Sequence, residues 1–153
     1  MTLVSGIDLR PISGNIDRPR LDKYFEHVES RYIVPLLGQE LYDDLLDEDS
    51  DNRTNNLLLI EKLNPAIQHY VYGELMMHEQ DKMTPTGLVN KVNEYSQPVS
   101  GNALMYKYQK SCRDAEFYIS ETVDFLTEKK DDFPLWIRNK VKSSCKNINI
   151  GFI

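Results

Sequence analysis

From about Asn102 to Lys129 the residues Leu104, Tyr108, Cys112, Ala115, Ile119, Thr122 and Leu126 recur every three or four positions, the spacing that gathers side chains on one face of an α-helix. A helix of this length with one apolar stripe needs other helices to cover it, which constrains the fold more than any motif does. The same spacing at Leu21, Tyr24, Phe25, Val28 and Tyr32 predicts a helix over about 21–32, stopped by Pro35 and Gly38. A short amphipathic helix follows over Gln39–Leu46, with Leu41, Leu45 and Leu46 inward and Glu40, Asp43, Asp44 and Asp47 toward water. After the polar run Asp47 to Asn56 and the apolar segment Leu57 to Leu63, Asn64–Pro65 offers a capping side chain followed by a proline at the first helical position. A long helix is therefore predicted from Pro65 to about Gln80, with Ala66, Ile67, Tyr70, Val71 and Leu75 on its stripe.

Thr84-Pro85-Thr86-Gly87 suits a type I turn, and Leu88, Val89 and Val92 beyond it suit a small hairpin or an ordered loop. Asp132-Phe133-Pro134 predicts a final short helix through Val141, with Leu135, Trp136 and Val141 available to pack. The expected class is mainly α: a small helical bundle with two long helices, a hairpin-like loop between them, and extended arms at both ends. Residues 1–20 carry Gly6, Pro11, Gly14 and Pro19 without a sustained period and read as an N-terminal arm, 21–142 as the helical domain, and 143–153 as a tail. In that tail Ile148, Ile150 and Phe152 alternate with polar or small residues, the pattern of a strand that needs another chain's edge.

At 153 residues and 41% hydrophobic content the chain has the length and apolar content of one domain. Its apolar runs fall far short of a membrane span, and the first residues include Asp8 and Arg10, unlike a secretory leader. The two cysteines, Cys112 and Cys145, belong to no paired or His-linked motif, which points to a reducing compartment and away from a zinc site. A net charge of -6, from 24 acidic and 18 basic residues, disfavours general phosphate binding. The charge is also separated: Glu40, Asp43, Asp44, Asp47, Glu48, Asp49 and Asp51 crowd one stretch, whereas Arg138, Lys140, Lys142 and Lys146 sit near the end. Such patches serve either as solvated surfaces or as the two halves of a head-to-tail contact between copies.

Candidate chemistry fails position by position. Asp47, Asp49 and Asp51 imitate the start of a calcium loop, but its sixth position is Asn52 where glycine is needed and its twelfth is Leu58 where a carboxylate is needed. Glu74, His78 and Asp81 share a helical face without a second ligand-bearing motif, and surface pairing explains them better than a metal. His69 and Cys112 read as packing residues. No nucleophile elbow, phosphate loop or dinucleotide fingerprint occurs, and Asp43-Asp44 and Asp131-Asp132 are adjacent pairs that diverge on a helix. No catalytic residue, metal ligand or cofactor site is expected, and the chain is not expected to be an enzyme. The nine tyrosines divide between core and interface roles.

The order of elements resembles the head-to-tail connector, or adaptor, proteins of tailed bacteriophages. The resemblance rests on Ile33, Pro35, Leu37, Gly38, Leu41 and Tyr42 after a first helix, on Thr84-Pro85-Thr86-Gly87-Leu88-Val89 after a long one, and on Phe133-Pro134-Leu135-Trp136 after the last, spanning about residues 20–140. It implies a structural virion protein that forms a homo-oligomeric ring, commonly of twelve copies, beneath the portal protein. The ring would extend the DNA channel, let double-stranded DNA pass without specific binding, and offer a platform for tail or further connector proteins. It would assemble in the host cytoplasm, away from membranes. On that resemblance Thr84, Pro85, Gly87, Leu88, Val89, Ile148, Ile150 and Phe152 are the expected subunit or portal contacts. The expected channel-facing acidic stretch is Asp43, Asp44, Asp47 and Asp49. The alternative is a small helical regulatory or binding module acting on another protein.

Overall fold

The computed structural model describes residues 2–3, 18–78, 81–84, 87–90 and 101–136. The bundle opens with α1 (Arg18–Val28), whose helix begins three residues before the first stripe residue, Leu21. Leu21, Phe25 and Val28 are buried, as their spacing requires. Pro35 does not end this helical run. A π-helical turn over Glu29–Ile33 leads directly into α2 (Val34–Leu37), and proline stands in the first turn of α2. Gly38 is the residue that breaks the run.

Gly38 adopts φ +85°, donates its N–H to the Val34 carbonyl at 2.9 Å, and accepts from the Tyr42 N–H at 3.1 Å. It therefore closes α2 and starts α3 (Gln39–Leu46) in one residue. A side chain is disfavoured at that φ, although a Cβ would meet nothing within 4 Å. Gly38→Ala is accordingly expected to lower stability by about 1–2 kcal/mol through backbone strain alone, read as a lower urea midpoint with an unchanged slope. Within α3, Leu41 and Leu45 are buried and Leu46 is half-buried.

The largest departure from expectation is α4, one helix of 26 residues from Arg53 to His78 with Pro65 inside it. It absorbs the end of the polar run and the apolar segment. Asn64 does not cap it: its Oδ1 accepts from Gln68 Nε2 one turn on, at 3.1 Å. An interior proline forfeits one ladder bond and costs about 3 kcal/mol. Leu59, Leu63, Ala66, Ile67, Tyr70, Val71 and Leu75 form one buried surface on both sides of it, and each large side chain there contributes about 1.5–3 kcal/mol. Continuity of that surface outweighs the break.

After α4, strands β1 (Asp81–Thr84) and β2 (Gly87–Asn90) pair antiparallel, with Thr84 opposite Gly87 and Asp81 opposite Asn90. The hairpin reading holds, and Asp81 leaves the helical face shared by Glu74 and His78. Then α5 (Gly101–Glu128) runs back along α4. The Ser111 hydroxyl donates to the His69 carbonyl at 2.6 Å and the Thr122 hydroxyl reaches the Lys62 carbonyl at 3.4 Å, which fixes an antiparallel register. Small residues let the axes approach: a Cβ on Gly73 would stand 3.3 Å from the Tyr108 ring and 3.6 Å from Ser111 Cβ. Of the predicted inner face of α5, Cys112, Ala115, Thr122 and Leu126 are buried, while Leu104, Tyr108 and Ile119 are only partly covered.

The central helix is thus α4, covered by α5 on one side and by α1 and α3 on the other. Beyond α5, a short 3₁₀ turn over Lys130–Asp132 replaces the start of the predicted last helix. Phe133, not Leu135, enters the core: Phe133 is buried and Leu135 is exposed, because the tight turn places the first aromatic inward. Val141 and the tail lie outside the described residues. Among the described residues no helix is long and apolar enough to cross a membrane.

Candidate functional site

The α3–α4 loop is built around carboxylates that accept its own donors. The Asp47 carboxylate takes the Asp49 N–H at 3.0 Å, and Asp44 takes the Ser50 hydroxyl at 2.8 Å and the Asn56 amide at 2.7 Å. Arg53 caps the end of α3 by donating to the Leu45 and Asp47 carbonyls. Asn52 then ties this loop to the far end of the chain, donating to the Asp132 carbonyl at 2.7 Å. The outcome is an open cavity of about 770 Å³ whose acidic lining is Asp44, Asp47, Asp49, Asp51, Asp131 and Asp132. Leu41, Pro134 and Leu135 contribute apolar surface beside them.

Three of the four predicted acidic residues therefore share one concave surface. Asp43 does not; it faces outward and accepts from Gln39 Nε2 at 2.8 Å. Asp44 belongs to the loop's internal bonding as much as to the cavity. Asp131 and Asp132 are the members that sequence reasoning missed, since nothing in an adjacent carboxylate pair announces a partner loop 80 residues away. The calcium resemblance fails physically as well as by pattern: α4 begins at Arg53, so the second half of the would-be loop is helical and Leu58 points outward. Among the described residues no three His, Cys, Asp or Glu side chains are arranged to hold a metal ion.

Two buried carboxylates organise the other end. Glu29, placed inward by the π turn, is fully buried and accepts the Leu3 N–H with both oxygens, at 2.9 and 3.1 Å, and the Tyr42 hydroxyl at 2.7 Å. Leu3 is thereby held against the core. Burial, and then the bond to Glu29, pushes the Tyr42 phenol well above its ordinary value. Glu74 accepts the Tyr32 hydroxyl at 3.2 Å and lies 3.6 Å from the Arg31 guanidinium and 3.5 Å from His78 Nε2. It is a structural hub between the π turn and α4.

Tyr32 stacks on Tyr70 with ring centroids 4.0 Å apart, and burial, then the Glu74 charge, pushes its phenol up to about 12 from 10.0. Burial, Cys112 and Tyr32 push Tyr108 up in turn. A phenol whose folded pKa is raised stabilises the fold fully below pH 10 and loses that contribution as pH climbs through 12. For Tyr32 the loss is on the order of 2–3 kcal/mol. Urea midpoints measured from pH 8 to 12 should fall steeply for the native chain and less steeply for Tyr32→Phe, which is expected to start about 1 kcal/mol lower through the lost bond to Glu74.

Of the predicted contact residues, Thr84 ends β1 and Gly87, Leu88 and Val89 lie in β2. Pro85, Ile148, Ile150 and Phe152 lie outside the described residues. His69 stacks on Tyr118 at 5.6 Å, and Cys112 is buried.

Residues 33–146 match the model of the family of unknown function DUF6712. The chain belongs to that family. No curated protein and no solved structure matches the chain. The DUF6712 span runs from the end of the π turn, so it contains α3, α4, α5 and every acidic residue of the cavity, while Glu29 and its contact with Leu3 precede it.

Proposed function

We propose that the chain is a structural subunit of a tailed bacteriophage's head-to-tail connector, forming a ring on the portal protein that extends the DNA channel and seats tail proteins. The observation that carries this reading is the corner at residues 33–42, where the resemblance to connector proteins is concentrated. Ile33, Leu37 and Leu41 are buried there, Gly38 supplies the positive φ that turns α2 into α3, and Tyr42 reaches back to Glu29. The residues that carry the resemblance thus build one defined helix–turn–helix corner, and that is what supports the reading. Phe133, from the last of the three shared stretches, likewise has a defined seat in the core.

The composition of the surface supports the same reading. An open concave feature among the described residues is lined by carboxylates, which repel phosphates and suit a particle through which DNA must slide. The test is co-sedimentation of the purified chain with purified portal rings. Stoichiometric pelleting is the expected result. A chain that neither binds portal rings nor forms rings of its own at any concentration overturns the reading; monomeric behaviour without portal does not.

A further inference from the structure

Two separate faces of the bundle present apolar side chains that are exposed among the described residues. On α5, Tyr106, Lys110, Arg113 and Phe117 follow one another at intervals of four, three and four residues, so they form a single stripe. Tyr106 is 62% exposed and Phe117 is 60% exposed. Lys110 is engaged by Asp114 at 2.6 Å, whereas Arg113 makes no ion pair among the described residues. On the first turns of α4, Leu57 and Leu58 are 50% and 48% exposed, and they follow directly on the loop that bears exposed Asp47, Glu48, Asp49 and Asp51. One face is therefore apolar and basic, the other apolar and acidic.

Their placement decides how they can be used. The antiparallel register set by Ser111 with His69 and Thr122 with Lys62 puts Leu57 and Leu58 beside the end of α5. The α5 stripe is centred some fifteen residues earlier, about 22 Å away along the axis at 1.5 Å per residue. Faces that far apart cannot meet within one molecule. Pairing like with like about a two-fold axis through the middle of the stripe would bring Arg113 opposite Lys110 of the other copy, basic against basic. Pairing unlike faces joins copies head to tail, and that contact leaves a free face at each end for the next copy.

We propose that the α5 stripe of one copy docks on the Leu57–Leu58 edge of a second copy, with Arg113 against the acidic loop. The inference rests on the ring reading and names its joint. Tyr106 and Phe117 supply the kind of aromatic anchor that dominates such contacts, and the charge contrast fixes which face meets which.

The test uses two full-length variants that alter only exposed positions: Tyr106→Ala/Arg113→Ala/Phe117→Ala on one face and Asp49→Ala/Leu57→Ala/Leu58→Ala on the other. Circular dichroism checks that both keep the helical fold. In sedimentation velocity each variant alone should self-associate roughly thirtyfold or more weakly than the native chain. Mixed together, each retains the face the other lacks, so the mixture should form dimers and nothing larger. If the native chain assembles and either variant assembles equally well, the joint lies elsewhere and the ring reading stands without it. If both variants stay monomeric even when mixed, these two faces are not partners. A native chain that never assembles, with or without portal rings, overturns this inference together with the ring reading.

Discussion

Phe133→Ala is expected to lower the unfolding free energy by about 3–5 kcal/mol and the melting temperature by roughly 10 °C. Phe133 is 1% exposed, meets Phe125 edge-on with ring centroids 5.9 Å apart, and accepts the Trp136 N–H at its carbonyl. Truncation leaves a cavity under the turn that carries Asp131 and Asp132, and the neighbouring bond from Asn52 to Asp132 loses the anchor that positions it. Leu135→Ala, two residues on, should change stability far less, by about 1 kcal/mol or below, because that side chain is 40% exposed. Thermal melts of the two variants side by side check the pair. Equal effects would mean that the turn is seated the other way round.

Asn56→Asp should be nearly as severe at neutral pH, about 3–5 kcal/mol. Asn56 is fully buried, and its amide donates to the Asp44 carboxylate at 2.7 Å, the Asp44 carbonyl at 3.1 Å and the Ser50 hydroxyl at 3.3 Å. Its Oδ1 has no partner among the described residues. Aspartate removes the donors and sets a second buried carboxylate against Asp44, so the folded state favours its protonated form and raises its pKa above the unfolded value near 4. The sign follows: destabilisation relative to the native chain is greatest above the raised pKa and shrinks as pH falls toward 4. Urea midpoints of variant and native chain compared at each pH from 7 to 4 should converge downward. Asn56→Leu loses the same bonds without the charge and should show a gap that depends little on pH.

The helices were legible where their signal was local. The boundaries of α3 and the course of α5 follow from spacing and from where breakers stand, and the buried residues Leu41, Leu45, Cys112, Ala115 and Leu126 lie where a period of 3.6 puts them. Reading failed where tertiary burial overrode a local rule. Asn64–Pro65 carries every mark of a helix start, yet the apolar surface from Leu59 to Leu75 holds one helix across it. Pro35 carries the mark of a stop, yet the helical run continues from the π turn through it and breaks only at Gly38. The acidic cavity was half legible, because its first members share a stretch of sequence and its last two arrive from the other end of the fold. Glu29 gave no signal at all: a lone glutamate on a predicted helix reads as solvent-facing, and only the wider turn and the contacts with Leu3 and Tyr42 explain its burial. The exposure of Leu57 and Leu58 was equally hidden, since an apolar run does not say which of its members faces outward.

The most direct measurement is electron microscopy of portal rings mixed with the purified native chain. The account predicts a second annulus stacked beneath the portal, with rotational symmetry and an open axial channel continuous with the portal's own. Portal rings that remain bare in the presence of excess folded chain would contradict it.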